Sequence, residues 1–311
     1  MVFVFVFFSI FGGTTFIVNG ISSWLNVAAT LGIVALPIGF LMIAGELDIS
    51  VGAMMPAGAM ILGIVSGFYE LPIPLGIAIT MAFAALVGWV NGMIVVRTAV
   101  PSLIVTMGTL FAVAGVTLFM SLLLTDSTRV ALAAPAWAKA VFGEFYLGGY
   151  QVIIVWWLAL IALCMFFLHF SPWGNWLYAL GGDKVSARNA GIPTRRLTIG
   201  LFMLSSMCAT FAGFCQTLTF NSAQTSTNFA LIFNSIISVV VGGVLLTGGF
   251  GSVIGIVFGT VTFAMVTQGI SYTDFDRNLS NLIIGVMLLI AVLMNNTFRR
   301  MALSYAGPKK R

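Results

Sequence analysis

Charge is what this sequence has least of. Asp, Glu, Lys and Arg make up 7% of 311 residues, against 60% hydrophobic residues. A soluble domain carries about 25% charged residues, so this chain cannot cover a water-facing surface of its size. Disorder is excluded as well, because Leu, Ile, Val and Phe run throughout. Metal ligands are scarce: one histidine, His169, and three cysteines, Cys164, Cys208 and Cys215, with no CxxC or Cys/His spacing. Cys208 and Cys215 stand two turns apart on one helix, too far for a disulfide. No GxxxxGK[ST] cradles a phosphate, and neither HExxH nor GxSxG occurs. The chain is therefore read as a non-enzyme without a cofactor, a metal or an ATPase site of its own. Its net charge of +5 is scattered through gaps between apolar runs, which excludes a nucleic-acid surface.

The remaining solvent is lipid. A helix needs about 20 apolar residues to cross the hydrocarbon core. On that measure the sequence predicts an all-α integral membrane protein with about ten transmembrane helices, near 1–18, 27–45, 51–68, 73–96, 101–124, 151–170, 199–220, 230–247, 250–271 and 279–298. The start, MVFVFVFFSIF, lacks a basic n-region and a cleavage site and reads as a membrane helix rather than a signal peptide. The whole chain, 1–311, reads as one transmembrane domain. Basic residues cluster in the loop 171–198 (Lys184, Arg188, Arg195, Arg196) and in the tail 299–311 (Arg299, Arg300, Lys309, Lys310, Arg311). Four spans separate these clusters, so both share a side, and Arg97 joins them. Basic loops mark the cytoplasm, which puts both termini there and the loop 125–150 outside. That loop is either a connector with an interfacial helix or a docking segment for an external partner.

Glycine is abundant, and its placement repeats. Gly39, Gly45 and Gly52 align with Gly242, Gly248 and Gly255 at a constant offset, and the expected topology runs both segments the same way. This is the pattern of an internal parallel pseudo-repeat, common in transporters. Gly88 with Gly92, and Gly251, Gly255 and Gly259, make small-residue stripes suited to close helix packing.

Polar residues inside apolar spans are costly in lipid and mark function by default. Glu46 and Asp48 lie with Ser50 between two apolar runs. Two readings stand for them: Asp48 or Ser50 caps the helix starting near Val51, or the group lines a translocation path. Asn91, Thr106, Gln216, Asn221, Gln224 and Asn234 are further path candidates, since amides and hydroxyls replace water around a polyol without charge. In the 171–198 loop, Asp183 can cap a short helix that Gly191 ends and Pro193 cannot continue. Lys184 and Arg188 share a face of that helix, where like charges call for water, lipid phosphate or an acidic partner.

Four segments resemble the permeases of ribose-type ABC importers. They are GELDISVG (45–52, family GGIDLSVG), GWVNGMIVVRTAVPSLIVTMGT (88–109), WLYALGGDKVSARNAGI (176–192, family IYAxGGNxxAARLSGI), and NSAQ (221–224) with VVVGGVLLTGGFGSVIG (239–255). Order and spacing agree from about residue 20 to the end. Glu46 stands where the family has glycine, and Lys184 where it has an acidic or polar residue. Ser102, Leu103, Asp183, Thr225 and the stretch 231–236 also depart from the pattern. The resemblance implies a bacterial inner-membrane, multi-pass permease importing a sugar or related polyol by alternating access. It also implies an ABC ATPase subunit that holds the ATP, a periplasmic or extracellular binding protein, and a second permease copy, identical or not. Asp183, Lys184, Ala187, Arg188 and Gly191 would form the coupling helix that docks into the ATPase. A permease for a non-sugar solute, or a self-sufficient carrier or channel, is the alternative.

Overall fold

The computed structural model describes residues 1–274, 276 and 279–305. Arg277, Lys309, Lys310, Arg311 and the side chains of Arg299 and Arg300 lie outside the described part. In chain order the helices are α1 (Val2–Phe11), α2 (Gly13–Ile43), α3 (Val51–Phe68), α4 (Ile73–Arg97), α5 (Ser102–Thr125), α6 (Ala136–Phe142), α7 (Ile153–Phe170), α8 (Pro172–Gly182), α9 (Lys184–Asn189), α10 (Thr194–Phe220), α11 (Phe229–Val241), α12 (Val253–Tyr272) and α13 (Leu279–Tyr305). Four short strands pair as β1 (Arg129–Ala131) with β4 (Ser222–Gln224), and β2 (Phe145–Tyr146) with β3 (Tyr150–Gln151), both antiparallel.

Proline and glycine set most of the boundaries. Pro72, Pro101, Pro135 and Pro193 immediately precede α4, α5, α6 and α10, and Pro172 opens α8. Proline suits these positions because its fixed φ fits a first turn whose N–H groups are unpaired anyway. At the far ends, α5 stops at Asp126 and α10 at Asn221, both left-handed at φ 51° and 53°.

Among the described residues seven helices are long and apolar enough to span a membrane: α2, α3, α4, α5, α7, α10 and α12. Three apolar helices, α1, α11 and the Leu279–Ala291 part of α13, are shorter. Three boundaries differ from the sequence expectation, one of them the start of α10 at Thr194 rather than near 199. The run 1–18 is not one helix. It breaks at Gly12–Gly13, where Gly13 takes φ 58°, and α2 then continues to Ile43. The run 230–247 is cut at Val241, with Gly243 left-handed just beyond at φ 86°. A 13-residue helix reaches about 20 Å, short of a hydrocarbon core of about 30 Å.

The core gathers around α2, which is buried on every side from Leu31 to Ile43. α10 packs beside it and against α3 and α4. Glycine permits these approaches. A Cβ on Gly88 would stand 2.5 Å from the Met203 Cα, and one on Gly92 would stand 2.7 Å from the Ile199 Cα. On the other flank of α10, Gly213 lies directly on the Met55 carbonyl of α3. Gly255 and Gly259 of α12 similarly meet the Gly242 and Ser238 carbonyls at the end of α11. Gly251 does not belong to that helical stripe. Ser252 caps α12 by accepting from the Gly255 N–H (3.0 Å), so the helix begins one residue later and Gly251 sits against Ile43 and Val244.

The repeated glycine segments have a common form: helix α2, a link and helix α3; then helix α11, a link and helix α12. The equivalent glycines Gly45 and Gly248 are both left-handed, at φ 79° and 82°, and a Cβ on Gly248 would meet the Gly45 backbone at 3.0 Å. The links pack on each other, with the Gly249 N–H donating to the Ile43 carbonyl (2.8 Å). A proline inside α3, Pro56, lacks the N–H that would bond the Gly52 carbonyl one turn back. That carbonyl accepts instead from the Asn228 N–H (3.0 Å).

Gly213→Leu is expected to force α10 from α3 and to lower thermal stability by about 1–3 kcal/mol or more through overpacking. Gly200, on the same helix, has open space where its Cβ would be. Gly200→Ala is expected to keep wild-type stability. Melting curves of the two purified variants compare them directly.

Candidate functional site

The polar residues singled out in the sequence gather at two places. One is the link 44–50. Leu47 N–H donates to Ser102 Oγ (3.1 Å) and Ile49 N–H to Thr106 Oγ1 (3.3 Å) at the start of α5. Asp48 is buried, and its Oδ1 accepts from both the N–H (2.9 Å) and the Oγ (2.5 Å) of Ser50. Asn91 of α4 continues the chain: its Nδ2 donates to Ser50 Oγ (3.2 Å) and its Oδ1 accepts from Thr109 Oγ1 (2.5 Å). Extended backbone at this depth needs such partners, because lipid supplies none. The capping alternative is not realised. Ser50 makes no side-chain bond into the first turn of α3, and Asp48 closes a local turn onto Ser50. The buried Ser205 hydroxyl of α10 lies beside this carboxyl.

Glu46 leaves this group. Its carboxylate is buried and receives the Lys184 ammonium of α9 in a short ion pair. The face that Lys184 shares with Arg188 was expected to meet water, lipid phosphate or an acidic partner; Lys184 pairs with Glu46 of this chain while its side chain stays 52% exposed.

α9 is capped as its sequence suggests: Asp183 Oδ1 accepts from the Ser186 N–H (2.6 Å). Those bonds hold the Asp183 carboxyl below its usual pKa, with the Ser186 contacts as the largest cause. Gly191 ends the helix at φ 82°, its N–H on the Arg188 carbonyl (3.0 Å), and the Ile192 N–H returns to the Ala187 carbonyl (3.1 Å). Ala187 is the buried residue of α9. Lys184, Arg188 and Arg195 line a cleft of about 470 Å³ between α9 and the end of α4.

The second place lies at the opposite end of α10. From Thr194 to Gln216 the helix rises about 33 Å, the thickness of a hydrocarbon core. A cavity of about 640 Å³ opens there, with Gln216, Gln224 and Asn228 among its polar lining and Met55, Pro56 and Ala59 of α3 as an apolar wall. An adjoining cavity of about 350 Å³ shares Gln216 and Asn228 and adds Asn26, Gln151 and Asn234. Arg129 is at the rim and donates from Nε to Ser222 Oγ (2.8 Å). Among the described residues lining either cavity there is no carboxylate. Asn221 is not in the lining. It terminates α10, and its carbonyl accepts from the Leu132 N–H (3.0 Å).

The structure thus divides the candidates. Glu46, Asp48, Asn91 and Thr106 belong to the link cluster; Gln216, Gln224 and Asn234 belong to the cavities. Arg129, Asn228, Asn26 and Gln151 were missed: Arg129 and Gln151 are on strands, Asn228 is the cap of α11, and Asn26, inside α2, stands just before the run 27–45 expected as a span. Asn228 carried one legible signal, its position before the apolar run that becomes α11, where it caps Leu231 (3.0 Å).

Comparison with known proteins agrees with this architecture. A family model described as the permease component of the branched-chain amino acid transport system matches residues 20–292. The fructose import permease protein FrcC of Rhizobium meliloti is 30% identical over 300 residues, covering 94% of this chain and 82% of that protein. The inner membrane ABC transporter permease protein YjfF of Escherichia coli K12 is 29% identical, covering 86% of this chain and 80% of that protein. The ribose import permease protein RbsC of Haemophilus influenzae is 28% identical, covering 95% and 88%. With a match over nearly its whole length, and with helices fit to cross a membrane many times, this chain belongs to the branched-chain amino acid transport system permease family.

Proposed function

We propose that the chain is the membrane-spanning subunit of an ATP-driven importer that carries a sugar or related polyol across the bacterial inner membrane by alternating access. One observation carries the substrate class. The cavity at the end of α10 is lined by amides, hydroxyls and one guanidinium, Arg129, around an apolar wall, with no carboxylate among the described lining residues. Such a lining replaces the water around a neutral polyhydroxyl ligand. The family description favours a second reading, a branched-chain amino acid. An amino acid brings an ammonium, and the described lining has no carboxylate to pair with that charge. The relatives named for fructose and ribose import fit the first reading.

In this reading ATP is bound and hydrolysed by a separate ABC ATPase, docked on the capped segment 183–192 and its Arg188 face. An external binding protein delivers the sugar to the cavity end, and a second permease copy completes the path. About ten membrane segments bring both termini to the cytoplasm, and residues 1–311 act as one domain. α9 is short, so its order depends on its cap and stop.

Four outcomes are expected. In proteoliposomes with its ATPase and binding protein, the permease takes up the sugar bound by that binding protein; uptake of leucine or valine instead would sink the sugar assignment. For topology, single cysteines replace Ser186 and Ala134 in a background lacking the native three. An impermeant thiol reagent added outside spheroplasts labels only Ala134→Cys, and external labelling of Ser186→Cys would reverse the orientation. For coupling, Arg188→Glu and Gly191→Val insert normally while uptake and substrate-stimulated ATP hydrolysis fall together; a carrier or channel keeps transporting. For the cap, the lowered Asp183 pKa means its contribution is full at neutral pH and is lost as pH falls through the depressed value. Hydrogen exchange in 184–189, corrected for intrinsic rates, therefore speeds up on acidification in wild type, and Asp183→Asn shows the fast rate already at neutral pH.

A further inference from the structure

We infer that the Glu46–Lys184 ion pair is the positioning contact through which α9 moves the substrate path, an inference that rests on reading 183–192 as the ATPase-docking segment. α9 is joined covalently only to α8 and to the turn before α10, and it buries one residue, Ala187. A Cβ on its left-handed Gly191, or on the Gly182 just before Asp183, would meet nothing, while the Gly182 backbone packs beside Gly249. The Lys184 ammonium reaches across 138 positions of sequence to a carboxylate on the α2–α3 link. The Lys184 side chain is 52% exposed and that of Glu46 only 7%. The pair therefore has one end in reach of a docking partner and the other in the core.

What lies beyond Glu46 is rigid. The link is pinned to α5 by Ser102 and Thr106, and through Ser50 to Asn91 of α4. Ala44 and the left-handed Gly45 lie between Glu46 and the end of α2, and the Glu46 N–H returns to the Leu41 carbonyl (2.8 Å). A pull on Glu46 therefore moves the pinned link as a unit and carries α3, which begins at Val51. Within two turns α3 presents Met55, Pro56 and Ala59 to the polar cavity. Lys184 and Glu46 thus make the ion pair that joins α9 to the α2–α3 link, beside the backbone packing of Gly181 of α8 on the Ile43 carbonyl. Both residues depart from the resembling motifs, where glycine at 46 leaves nothing for a side chain at 184 to grip. The tie is a device of this chain.

The alternative is plain charge compensation: Lys184 serves only to neutralise a buried carboxylate that is costly when unpaired. The double variant Glu46→Gln/Lys184→Met separates the two, because it strands no charge yet removes the tie. The assay is the reconstituted complex with its ATPase and binding protein, reading uptake and the ratio of substrate-stimulated to basal ATP hydrolysis per assembled complex. A positioning role predicts that the double variant assembles and that both readouts fall by about tenfold, the scale of a typical coupling energy. It also predicts that Lys184→Met alone lowers both, while Lys184→Arg keeps them. Wild-type coupling in the double variant, or loss in Lys184→Arg equal to that in Lys184→Met, overturns the inference and leaves the transport reading intact. Wild-type complex that takes up sugar without ATP overturns the docking reading itself.

Discussion

Inside a bilayer, every backbone N–H and C=O must find a partner within the protein. The rest of this structure follows from how the two non-helical links meet that demand. The link 44–50 uses side chains of α5 and its own Asp48. The link 242–252 uses turns around Gly243, Gly248 and Gly249, a bond from Leu245 N–H to the Phe250 carbonyl, and the Gly249 bond to Ile43. Tyr178 adds its hydroxyl to the Gly251 carbonyl (2.7 Å). Each link is satisfied largely by the helices around it. Neither keeps its shape unless those helices stay in place.

Glycine and ionisable groups divide the work. Glycines let α10 approach α3 and α4, and let the links stack at Gly45 and Gly248. Backbones that close leave no room for water or for independent sliding, so neighbouring helices move as blocks. Ionisable groups then sit where blocks meet. Glu46 and Lys184 join the link to α9. Arg129 joins β1 to β4 through Ser222, beside the register pair Arg129 and Gln224.

Much of this was legible in the sequence, and the limits are physical. Apolar runs announced α4 and α5 to within a residue, because a span is a local property of composition, whereas α10 begins at Thr194, before the expected start near 199. The Asp183 cap and Gly191 stop of α9 were legible for the same reason: a cap spans a few residues. The break at Gly12–Gly13 and the early end of α11 were not, since glycine permits a left-handed turn without requiring one. The Glu46–Lys184 pair joins residues far apart in the chain, and its two charges looked like separate features. The cavity lining was read in part. Gln216 and Gln224 stood near apolar runs, whereas Asn26, Arg129 and Gln151 reach the cavity only because β1 pairs with β4 and because Asn26 bonds the backbone at Gly149 and Gln151 (2.8 and 2.9 Å).

Pro56 has a consequence beyond its own helix. By withholding an N–H, it leaves the Gly52 carbonyl free to be taken by Asn228. The proline thus sews α3, from the first glycine segment, to the residue that starts α11, in the second. Unpicking that stitch would turn a bare carbonyl toward lipid or an empty cavity, so the seam resists opening. Any motion that reshapes the cavity must therefore go around this seam, a tie between α3 and α11 that an imino acid makes possible.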